Sequence, residues 1–106
     1  MVQEVAPEQL KAEIDAGRAP QVVDVREAWE LEIASLPVAR HIPMGEIADR
    51  IDELDRSRPI TVMCRSGGRS LQVARFLEQA GFARVSNLTG GILAWGERID
   101  PSVRPY

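Results

Sequence analysis

Pro59-Ile60-Thr61-Val62-Met63-Cys64-Arg65-Ser66-Gly67-Gly68-Arg69-Ser70-Leu71-Gln72-Val73-Ala74-Arg75-Phe76-Leu77-Glu78-Gln79-Ala80-Gly81 is the stretch that decides the fold. Pro59 to Met63 is β-branched and apolar, which reads as a buried strand. Cys64 to Ser70 is polar and carries a double glycine. Leu71 to Ala80 has Val73, Phe76, Leu77 and Ala80 at helical core spacing, and Gly81 sits where a helix stops. Strand, short polar turn and helix in that order predict a parallel α/β unit with Cys64 at the carboxyl end of its strand. In open α/β sheets that is where ligands bind.

Outward from this unit the same alternation repeats. Val2 to Val5 reads as a short strand, and Pro7 to Ile14 as a helix that Gly17 ends. Gln21 to Val25 is a second buried strand, and Glu27 to Ile33 a short helix broken at Leu36-Pro37. Arg40 to Pro43 is a short extended piece, because the residue before a proline avoids the α region. Ile47, Ile51 and Leu54 share a helical face. Arg84 to Leu88 is a last strand, Gly90-Gly91 a turn, and Ile92 to Ile99 a last helix followed by a tail. The expectation is a three-layer α/β/α fold, with a five-stranded, mainly parallel sheet and helices on both faces.

Composition bounds the chemistry. At 106 residues the chain has the length of one domain, read as spanning 1–106. With 44% hydrophobic and 27% charged residues it can bury a core without disulfides or metals to hold it. A net charge of −3 argues against a nucleic-acid binder. No apolar run approaches a membrane span, and the first residues lack the basic and apolar regions of a secretory signal, so the expected location is cytoplasmic. One cysteine and one histidine exclude an internal disulfide, a cysteine zinc cluster and a multi-histidine metal site. Neither a metal nor another cofactor is called for, and nothing demands more than a monomer.

Cys64 therefore acts alone. Gly67 and Gly68 let successive N–H groups turn inward as an anion nest. The following helix adds its unsatisfied N–H groups and the positive end of its dipole, while Arg65 and Arg69 bring full charges. Such surroundings lower a thiol's pKa. A core cysteine that merely closes a strand requires neither two glycines nor two arginines beside it. A cysteine hydrolase needs a histidine base, and His41 next to Ile42-Pro43 reads as structural. A dithiol oxidoreductase needs a second cysteine. Two classes survive: attack on phosphorus or arsenic with an arginine clamping the oxyanion, or attack on a sulfane sulfur to give a persulfide.

At this point four motifs in order resemble the single-domain rhodanese (thiosulfate sulfurtransferase) family. Val22-Val23-Asp24-Val25-Arg26-Glu27 is similar to its strand ending in Asp-Val-Arg-Glu. Leu36 to Pro43 resembles its Gly-His-Ile-Pro region, without the usual Gly-His opening. Cys64 to Ser70 resembles its active-site loop, and Asn87-Leu88-Thr89-Gly90-Gly91-Ile92-Leu93-Ala94-Trp95 its Gly-Gly…Ala-Trp signature. The resemblance implies that Cys64 carries the sulfur. Arg65, Ser66, Gly67, Gly68, Arg69 and Ser70 would bind the persulfide and the donor, with Asp24 and Arg26 in support. A small anionic donor such as thiosulfate would load Cys64, and a thiol, cyanide or a protein would accept the sulfur. Related phosphatases and arsenate reductases use His-Cys, five residues, then Arg. Here Met63 precedes the cysteine and Ser70 stands where that arginine would be, which demotes the phosphoryl and arsenyl reading. Delivery to a protein partner remains the alternative, and the tail Ile99 to Tyr106 resembles the ends of rhodanese domains linked to sulfur-carrier activation.

The other conspicuous residues have plainer readings. Asp24 and Arg26 read first as a structural ion pair. Trp29 and Trp95 read as packing residues, Gly90 and Gly91 as a tight turn, and Asp49 to Asp55 as a solvated helix face.

Overall fold

The computed structural model describes residues 1–106. Five strands form one sheet: β1 (Gln3–Val5), β2 (Gln21–Asp24), β3 (Arg40–His41), β4 (Ile60–Met63) and β5 (Val85–Leu88). Their order is β1-β5-β4-β2-β3, and every neighbouring pair is parallel. The α-helices are α1 (Pro7–Asp15), α2 (Ala28–Ile33), α3 (Ile47–Arg50), α4 (Gly68–Gln79) and α5 (Gly91–Arg98), with short 3₁₀ turns on either side of α3. None is long and apolar enough to cross a membrane.

Burial of the sheet on both faces explains its apolar strands. Alternate residues point to opposite sides, so Val23, Val62 and Val85 pack with Val73, Ala74 and Leu77 of α4 and Ile47 of α3. Val22, Met63 and Leu88 pack with Leu10 of α1 and with Ile92 and Trp95 of α5. These are the two outer layers of a three-layer α/β/α architecture. The chain leaves β2 toward one edge and β4 toward the other. The carboxyl ends of β2 and β4 thus flank the switch point at which open sheets bind ligands, with Asp24 paired in register to Met63.

Three expectations need correction. The helix after Cys64 starts at Gly68, not Leu71, so Arg69 and Ser70 belong to its first turn. The cause is Gly67, whose φ of +111° turns the chain straight into the helix. Phe76 is not core: α4 rolls Val73 and Leu77 inward and leaves Phe76 43% exposed. Trp29 is likewise outside, 61% exposed, its ring edge-on to Tyr106 at 6.3 Å. Trp95 is buried as expected. The tail after α5 turns back over it at Gly96, where a Cβ would lie 2.9 Å from the Val103 carbonyl.

Candidate active site

Cys64 lies just beyond β4, the central strand, and only 1% of its surface is exposed. Its sulfur is nevertheless not in a purely apolar setting. The Gly67 N–H donates to Sγ at 3.1 Å, the Ser70 N–H at 3.4 Å, and the Ser70 hydroxyl lies 3.3 Å away. The Ser70 N–H is one of the orphan donors of the first turn of α4. In most helices an N-cap side chain accepts it. Here the N-cap is Gly67, which has none, and the cysteine sulfur takes that place. Burial pushes the thiol up, but the Ser70 hydroxyl and the N–H groups of Ser70, Gly67 and Ser66 outweigh it and hold the thiol below its ordinary value.

The amides face the sulfur because the carbonyls are held on the other side. At the start of α5, Ile92 N–H donates to the Cys64 carbonyl at 2.9 Å and Leu93 N–H to the Arg65 carbonyl at 3.1 Å. This contact depends on Gly91. Its φ is +60°, and a Cβ there would lie 2.5 Å from both carbonyl oxygens. The double glycine read from the sequence as a turn thus also lets α5 approach the loop that begins at Cys64. Within the loop, Gly67 carries the left-handed turn. Gly68 has an ordinary helical backbone with open space where a Cβ would be, so the freedom expected of both glycines is needed at one.

The two arginines of the loop are tied to neighbours. Arg69 makes a two-pronged ion pair with Glu30 at 2.7 and 2.9 Å. Glu30 is 3% exposed, and it also accepts the Glu27 N–H at 2.8 Å and the Tyr106 hydroxyl at 2.7 Å. Arg69 chiefly, against burial, holds the Glu30 carboxyl down at about 2, and Glu30 in turn raises Arg69. Arg65 donates through Nε to the Tyr106 main-chain oxygen at 2.6 Å, with a second contact from Nη2, and stacks 5.2 Å over the Tyr106 ring. Ser66 and Gly68 are exposed at the rim of the loop.

Asp24 and Arg26 do not touch the sulfur among these contacts. Arg26 is fully buried, a rare state for a guanidinium. Its Nε and Nη2 grip Asp24 at 2.7–3.1 Å, Nη2 also donates to the Ala34 carbonyl at 2.8 Å, and Nη1 to the Tyr106 hydroxyl at 2.8 Å. His41 Nε2–H donates to the Arg26 carbonyl at 2.7 Å, the structural part expected of it. This buried pair anchors the segment from β2 into α2, and hence the Glu30 that holds Arg69.

Three site residues escaped the sequence reading. Glu30 sits in an acidic helix with no local mark of burial. Tyr106 reaches the site only because the tail folds back. Asn87, whose Oδ1 accepts the Ser70 hydroxyl at 2.6 Å, stood inside the Gly-Gly…Ala-Trp motif, one residue before the end of β5 beside β4, and that position was the signal that could have found it.

Comparison with known proteins agrees with this geometry. Residues 6–98 match the family model for a rhodanese-like domain. A putative sulfurtransferase of Bacillus subtilis, YtwF, is 36% identical over 100 residues, covering 94% of this chain and 96% of that one. A protein of Allochromatium vinosum named sulfurtransferase is 37% identical over 105 residues, covering 99% and 98%. The rhodanese-like/PpiC domain-containing protein 12 of Arabidopsis thaliana is 42% identical over 90 residues, but the chain spans 30% of that protein's length. Among solved structures, a rhodanese-like domain protein from Staphylococcus aureus superposes with a TM-score of 0.86 at 28% identity, covering 99% of both chains. The family match spans β2 to β5 and includes the loop around the sulfur, and the chain belongs to the rhodanese-like domain family.

Proposed function

We propose that the protein is a sulfurtransferase that carries sulfur as a persulfide on Cys64. The Cys64 thiolate attacks the outer sulfur of a small anionic donor of the thiosulfate type. A new S–S bond forms at Cys64, the old one to the central sulfur breaks, and sulfite leaves with the electron pair. The outer sulfur keeps the negative charge. A thiolate, cyanide or a protein thiol then attacks it, and Cys64 departs as a thiolate. A low thiol pKa serves both halves: it supplies the nucleophile first and a good leaving group afterwards. The two half-reactions give ping-pong kinetics.

The observation that carries this reading is the convergence of the Gly67 and Ser70 N–H groups on one sulfur, with the Ser70 hydroxyl 3.3 Å from it. These donors stabilise negative charge without needing a base, as sulfur transfer requires. Phosphoryl transfer asks for a guanidinium facing the anion, and Arg69 instead grips Glu30. The relatives named as sulfurtransferases support the same class. Incubation with thiosulfate, removal of the excess and mass measurement test it. The expected result is one added sulfur atom, absent in Cys64→Ser. No gain in mass, or a gain that survives Cys64→Ser, overturns the reading. Rapid thiocyanate formation from thiosulfate and cyanide supports small-molecule transfer. Stable loading with slow turnover points to a protein acceptor.

A further inference from the structure

Asn87 is 3% exposed on β5, beside the catalytic strand. Its Nδ2 donates to the Gly67 carbonyl at 3.2 Å and to the Glu4 carboxylate at 3.2 and 3.4 Å. Its Oδ1 accepts the Ser70 hydroxyl at 2.6 Å. The amide cannot be turned over, since its oxygen would then face a carbonyl and a carboxylate. One end of the side chain therefore holds the turn at Gly67, and the other presents an acceptor to Ser70.

The Ser70 hydroxyl has one hydrogen and two acceptors in reach, Asn87 Oδ1 at 2.6 Å and Cys64 Sγ at 3.3 Å. It cannot serve both. While Cys64 is a thiol, its S–H can donate to Ser70 Oγ and Ser70 can donate to Asn87, so every group is paired. Once Cys64 is a thiolate it only accepts. Ser70 then either keeps Asn87 and leaves the sulfur to the amides, or turns to the charged sulfur and strands a buried amide oxygen. We propose that Asn87 is a positioning residue that competes with Cys64 for the hydroxyl proton of Ser70. The competition changes with sulfur load. In the persulfide the charge moves to the outer sulfur, away from Ser70, and the hydroxyl returns to Asn87. The residue thus restrains the bare thiolate and favours the loaded state.

The test reads the thiol of the unloaded protein, by ultraviolet titration of the thiolate in a double-mutant cycle. The inference rests on Cys64 as sulfur carrier, yet this readout involves no transfer, so failure to load and failure of the competition are distinguishable. Asn87→Ala lowers the thiol pKa by about half a unit to one unit, because Ser70 is released to the sulfur. Ser70→Ala raises it, and raises it more in the Asn87→Ala background than alone. Asn87→Asp, which keeps an acceptor toward Ser70 and adds negative charge, raises it. Equal effects of Ser70→Ala in both backgrounds, or a pKa that Asn87→Ala leaves in place or raises, would overturn the proposal. Should Asn87→Ala fail to fold, a thiol pKa in Asn87→Asp at or below the native one does the same.

Discussion

Gly91→Ala isolates the contact that turns the loop after Cys64. A Cβ at Gly91 would meet the Cys64 and Arg65 carbonyl oxygens at 2.5 Å and the Arg65 carbonyl carbon at 2.6 Å. Tolerable contact begins near 3.4 Å, so α5 and the loop must part by about 0.9 Å. The obstacle is backbone on both sides, which no rotamer change relieves. Separation on that scale breaks the bonds from Ile92 and Leu93 to the two carbonyls, now 2.9 and 3.1 Å. Each is worth about 1 kcal/mol. Holding an alanine at φ +60° adds about 1–2 kcal/mol. The expected loss is about 3–4 kcal/mol, a large part of the roughly 5–15 kcal/mol that holds a domain folded. Urea unfolding measures it. Freed carbonyls also stop aiming the amides at the sulfur, so the thiol pKa should rise in whatever fraction stays folded. Gly68→Ala is the control: its backbone is helical, nothing lies within 4 Å of the added Cβ, and stability should hold or rise slightly. A Gly91→Ala protein within about 1 kcal/mol of native, or a Gly68→Ala protein equally damaged, would refute the argument.

Other outcomes follow from the buried charges and the sulfur. Asp24→Asn leaves the fully buried Arg26 without an anion and should cost about 3–5 kcal/mol in denaturant unfolding. Glu30 is held down at about 2, so its stabilising effect is complete above its ordinary 4.5 and fades as pH falls toward 2. Because Arg69 is partly in water, the effect is about 1–2 kcal/mol, and the stability gap between native protein and Glu30→Gln should close over that acid range. Alkylation of unloaded Cys64 should show its inflection below that of an ordinary thiol, and Ser70→Ala should move it upward.

What could be read from the sequence was set by range. The β4–loop–α4 unit is contiguous, and its strand period, glycines and helical spacing identify it without help from the rest of the chain. Its neighbours repeat the pattern, so the layers and the parallel sheet followed. The start of α4 was missed because Arg69 and Ser70 look like loop residues, and only the left-handed turn at Gly67 shows them to be helical. Phe76 and Trp29 fit an apolar face by spacing but lie at its margin, where one helical roll decides between core and water. At the site, the loop residues were legible because they are adjacent in the chain. The partners of Arg65 and Arg69 were not. Glu30 lies 39 residues from Arg69, and Tyr106 lies 41 from Arg65. Such pairs leave no periodic trace.

The folded-back tail carries its own optical gauge. Tyr106 bridges Arg26 and Glu30 through its hydroxyl, while the exposed indole of Trp29 stands against its ring. The second indole, Trp95, is buried in the core cluster against which Tyr106 also packs. With Trp95→Phe in place, emission would come from Trp29 alone. Its colour and quenching would then register lifting of the tail in real time, without any attached dye.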